Sequence, residues 1–93
     1  MILLTATLVA GSRHPKLPAG HSLVVMMFVD AQSETEALKL AESELEDLGW
    51  ATLAHESTEE FPDHFQFRDS ASPEARAFGE AQRTGFGLVV FPG

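Results

Sequence analysis

Two groups of side chains in this 93-residue chain have the types and proximity to do chemistry. The first is Arg13, His14, Lys16 and His21, set in the Gly- and Pro-containing stretch from Gly11 to His21. Arginine presents a bidentate fork to a phosphate or carboxylate, and glycine lets backbone N–H groups approach one. These four are therefore the candidate anion- or ligand-binding residues. The spacing is not that of a P-loop, which needs Gly-Lys followed by Ser or Thr. Met1 to Val29 holds no Asp or Glu, and every acidic residue lies from Asp30 onward. The plainer reading is therefore preferred: a solvated connection whose charges offset the acidic remainder.

The second group is His55, Glu56, Glu59, Glu60, Asp63 and His64. Imidazole and carboxylate are borderline and hard ligands, so His55, Glu59 and His64 are the candidates for a divalent metal. Their spacing belongs to no established site. The two histidines are not i, i+4 on a helix, nor close enough along the chain to guarantee convergence. No metal and no cofactor are expected, and carboxylate pairs for acid–base work here are what the composition would produce by chance.

Nucleophilic chemistry has less to work with. Cysteine is absent, no serine lies in a Gly-x-Ser-x-Gly elbow, and Gly85-Phe86-Gly87 starts a dinucleotide fingerprint without completing it. That glycine pair reads instead as a helix stop followed by close backbone packing. Met26 and Met27, inside a β-branched run, read as core filler rather than as the lining of a cavity. No catalytic residue is assigned, and the reading leans away from an enzyme.

Composition narrows the partners. A formal charge of −8 disfavours a nucleic-acid binder, whose affinity comes from clustered Lys and Arg, and an anionic membrane surface. With 44% hydrophobic residues the chain folds, and the acidity is a solvated coat. Met1 to Ala10 lacks the positive n-region of a signal peptide and is too short to span a bilayer, so it reads as a strand of a cytoplasmic protein. One domain, residues 1–93, is expected. A chain this small buries only about 60 to 65% of its extended surface, and with no disulfides available a second subunit is one way to enlarge the core.

The elements that must position these groups follow from periodicity. Residues 2–10 put Leu4, Leu8 and two alanines on one face, and Leu3, Thr5, Thr7 and Val9 on the other. Pro15, Pro18 and Gly20 make Gly11 to His21 a long connection rather than a tight turn. Leu23 to Val29 is apolar on both faces, with Leu23, Val25 and Met27 opposite Val24, Met26 and Phe28, which is the pattern of a central strand. Ser33 with Glu36 three residues later forms a capping box. Leu38, Ala41, Leu45 and Leu48, widened by Ala37 and Leu40, give the helix its apolar stripe, and Gly49 stops it. Its outer face carries Glu42, Glu44, Glu46 and Asp47. Glu42 and Glu46 could dock a basic protein partner, although a solvated acidic surface is the preferred reading.

Trp50 to His55 returns as a strand, placed parallel to the central one by a crossover. Residues 62–68 are read as a short strand on the alternation of Phe65 and Phe67, against Pro62. Ser72-Pro73-Glu74 opens a second helix with a cap, a proline at the first helical position and an acid facing the dipole. Ala75, Phe78 and Ala81 form its stripe, Gly85 ends it, and Phe86 to Phe91 is the last strand.

The order is β-β-α-β-(β)-α-β. From Leu23 to Phe91 it resembles the ferredoxin-like α/β plait, and the whole resembles small stand-alone bacterial proteins of that layout, many of them functionally uncharacterised. The resemblance implies an α+β two-layer sandwich of four to five strands, with two helices on one face and an extra N-terminal strand. Two helices on one face would leave the other apolar face of the central strand open. That motivates a non-enzymatic homodimeric interaction or regulatory module, its sheet faces or edges paired between subunits through either the Val24, Met26, Phe28 face or the Leu23, Val25, Met27 face. The alternative, by fold analogy, is a small enzyme or ligand-binding protein of the dimeric α+β-barrel type using a histidine and the Gly11 to His21 loop.

Overall fold

Alternation along the first strand sets the architecture. The computed structural model describes residues 1–62 and 65–91. In it, β1 (Ile2–Ala10), β2 (Ser22–Val29), α1 (Glu34–Asp47), β3 (Trp50–Glu60), α2 (Pro73–Thr84) and β4 (Phe86–Phe91) follow one another in an α+β fold. The strands form one sheet in the order β3-β1-β2-β4, every neighbouring pair antiparallel. β3 is consequently parallel to β2 across β1, as the crossover reading requires.

Register then divides the side chains between two faces. Ile2, Leu4, Ala6 and Leu8 stand opposite Val29, Met27, Val25 and Leu23 on one face, while Leu3 and Thr5 stand opposite Phe28 and Met26 on the other. On the first face Ala37, Ala41 and Leu45 of α1 pack with Trp50 against Leu4, Leu8, Val25 and Met27. On the second, Ala77, Phe78 and Ala81 of α2 pack against Leu3, Phe28 and Val89. The helices therefore lie on opposite faces. This corrects the expectation of two helices on one side, and with it the plait. β4 docks on β2, not on β1 or β3, so α2 crosses the sheet on the face that α1 leaves free.

The serine N-caps of both helices are met, with one of the two bonds of the expected Ser33–Glu36 capping box formed among the described residues. Ser33 Oγ accepts from the Glu36 N–H at 3.2 Å, and Ser72 Oγ from the Ala75 N–H at 3.1 Å. Gly85 ends α2 at φ 94°. The buried stripe of α1 is Ala37, Ala41 and Leu45; Leu48, expected within the stripe, and Leu40, expected to widen it, are exposed. Leu48 is already the C-cap, where the chain leaves the helix axis and its side chain no longer lies over the sheet.

The short strand expected at residues 62–68 is absent among the described residues, with 63 and 64 lying outside them. Instead β3 runs on to Glu60, and the Phe61 N–H donates to the Met1 carbonyl at 2.8 Å. Beyond Pro62, which brings no donor, ring packing organises the chain. Phe61, Phe67 and Phe78 meet Phe28 edge-on at centroid distances of 5.7, 6.1 and 5.4 Å, and Phe65 touches Phe61 and Phe67. Alternating phenylalanines thus serve as a lid over one end of the second face rather than as a ladder. No helix among the described residues is long and apolar enough to cross a membrane.

Candidate functional site

The loop of residues 11–21 is held against the turn between α1 and β3. The Gly11 N–H donates to the Gly49 carbonyl at 2.9 Å, and the Ala10 N–H to the His21 carbonyl at 2.8 Å. His14, half-buried, stands edge-on to Trp50 with ring centroids 4.5 Å apart, and its Nδ1 accepts from the N–H groups of Lys16 and Leu17 at 3.2 and 3.0 Å. Such an imidazole spends its acceptor on tightening its own loop. Gly49 is confined by the same contact: at φ 94° it takes a conformation that side chains disfavour, and a Cβ there would lie 2.7 Å from the His14 Cα.

Between this loop and the C-terminal half of α1 lies a cleft of about 580 Å³, lined by Gly11, Ser12 and Arg13 on one side and Glu42, Leu45 and Glu46 on the other, with Trp50 and Leu53 contributed by β3. Glu42 and Glu46 sit one helical turn apart, so both carboxylates rise from the same side of α1. Among the described residues neither they nor Arg13 forms an ion pair. The last turn of α1 holds no basic residue, so its exposed carbonyl ends add negative potential to that wall.

Two groups that the sequence presents separately thus meet here. Arg13 from the candidate anion loop lines the same cleft as Glu42 and Glu46 from the candidate docking face. The other loop candidates do not join it. His14 is turned to Trp50, and Lys16 and His21 are exposed. Arg13 thus shares its cleft with two carboxylates and the carbonyl end of a helix. No sequence signal marked Trp50 as part of the site, since its contact with the loop is made only in the folded chain.

Of the candidate metal ligands, His55 and Glu59 are not brought together. His55 is paired with Ala6 and Glu59 with Leu3, so the register assigns them to opposite faces of β3; His64 lies outside the described residues. The His55 Nε2 is 2.7 Å from the Thr58 hydroxyl, a local contact along the strand. Among the described residues no group of three or more His, Asp or Glu could hold a metal ion. Comparison of the chain with protein-family models, curated proteins and solved structures gives no match.

Proposed function

We propose that this chain is a non-enzymatic homodimeric interaction module whose subunits join through the outer edge of β4. The contrast between the two sheet edges carries the reading. β3 has two breaks in its register with β1, between Thr5 and Ala6 and between Val9 and Ala10, and it carries Glu56, Glu59 and Glu60. Bulges and charges are the devices that keep an edge strand from pairing with another chain. β4 has neither: Phe86-Gly87-Leu88-Val89-Val90-Phe91 is uncharged and stays in unbroken register with β2. Its outward N–H and C=O groups form an unguarded template, which a second copy satisfies by presenting the same edge.

The neighbouring helix suits that geometry. Pro73, Arg76, Ala77 and Glu80 of α2 line a groove with Leu88 of β4. Arg76 and Glu80, the latter already paired with Arg83 of the same helix, put opposite charges on that side that a two-fold axis can bring together. The edge is preferred to a sheet face because α1 occupies one face, and α2 with the phenylalanines occupies one end of the other. Val24 is 43% exposed at the uncovered end.

Size-exclusion chromatography with light scattering at micromolar concentration is expected to give twice the chain mass. Val90→Lys puts a charge on the edge at a side chain already 40% exposed, and should yield a folded monomer. A monomeric wild type, or a variant that remains dimeric, contradicts the reading.

A further inference from the structure

We propose that the cleft between the first loop and α1 binds a basic amino acid bearing a free carboxylate. Three properties of its walls carry this. Glu42 and Glu46 offer two carboxylates one turn apart beside the carbonyl end of α1, which suits a guanidinium or ammonium group. Arg13, which lines the same cleft from the loop, suits a carboxylate. Leu45, Trp50 and Leu53 between them suit the aliphatic stem that joins the two ends.

The charge count agrees. One arginine against two glutamates leaves the cleft at net −1, and a ligand with two cationic groups and one carboxylate neutralises it. The volume of about 580 Å³ lies within the range of small-molecule sites. The walls are also preformed: the Gly11 to Gly49 hydrogen bond and the His14 to Trp50 contact fix the loop, so binding orders little backbone. Among the described residues Arg13, Glu42 and Glu46 make no ion pair, which leaves all three charges available to a ligand.

Trp50 is the chain's only tryptophan and lines the cleft, so its fluorescence reports occupancy directly. L-arginine is the first probe. Agmatine, which lacks the carboxylate, and norleucine, which lacks the side-chain cation, are the controls. An acetylated tripeptide ending in arginine distinguishes a chain terminus from a free amino acid. Arginine is expected to give a saturable change in Trp50 emission at millimolar concentration. Agmatine should bind at least about threefold more weakly and norleucine without saturation.

Glu42→Gln and Glu46→Gln together should weaken arginine binding about tenfold with the circular dichroism unchanged, and Arg13→Gln should abolish the preference for arginine over agmatine. Saturation by the tripeptide alone also upholds the site and assigns it to a chain end. Absence of saturation with both arginine and the tripeptide overturns it, as does binding indifferent to the two Glu→Gln changes.

Discussion

Gly87 illustrates how a single residue decides the packing of an element. It lies on β4 where α2 crosses, and a Cβ added there would run into the Ala77 carbonyl. The glycine serves close approach rather than an unusual backbone angle. Gly87→Ala should therefore cost about 2 to 3 kcal/mol by forcing α2 away from Phe28 and Val89, measured as a lower urea midpoint with an unchanged slope. This much was legible, since a second glycine just after a helix stop already suggested tight packing. The role of His14 was not. A histidine in a basic, Gly- and Pro-containing loop looks like a ligand-binding group, and only the folded chain brings Trp50 beside its ring and places Nδ1 under two backbone N–H groups. Caps such as Ser33 and Ser72 were readable because their partners lie three residues away; the N–H partners of His14 are as near, but Trp50, against which its ring stands, belongs to another element.

At the scale of elements, α1 separates what periodicity can say from what it cannot. A stripe through Leu38, Ala41, Leu45 and Leu48 is consistent with the sequence, but the helix is buried along Ala37, Ala41 and Leu45. Leu45→Ala should cost about 2 to 5 kcal/mol in thermal or chemical unfolding, whereas Leu48→Lys should change stability by no more than about 0.5 kcal/mol. Equal losses at both positions would contradict the observed rotation of α1. Strand alternation was equally readable: the two faces of β1 and β2 are those the sequence indicates. Which segment covers each face was not, because a doubly apolar strand records only that both sides are buried. The second cover is α2 with Phe61 and Phe67, and the alternation of Phe65 and Phe67 pointed to a strand when the rings were wanted for a cluster around Phe28.

At the scale of the whole molecule, the chain covers one face of its central strands and one end of the other by itself, so a helix lies on each side of the sheet without a second subunit. An edge also remains open. One side of the sheet ends in β3, kinked by two register breaks and lined with glutamates; the other ends in β4, regular and uncharged. Small domains rarely leave such an edge bare, and a self-paired β4 joins two four-stranded sheets into one while leaving the cleft by Trp50 on the far side of each subunit, next to β3. Association and ligand binding are then separable, and Val90→Lys should leave the arginine response of Trp50 intact.

Amide hydrogen exchange as a function of protein concentration tests the edge most directly. In a strand at the edge of a sheet, alternate N–H groups point away from the only neighbour and exchange freely unless another chain pairs with them. If β4 is the interface, the outward amides between Phe86 and Phe91 become protected as concentration rises through the micromolar range, while those of β3 between His55 and Glu60 exchange at the same rate throughout. Exchange on β4 that is independent of concentration, or protection appearing on β3 instead, would contradict the account.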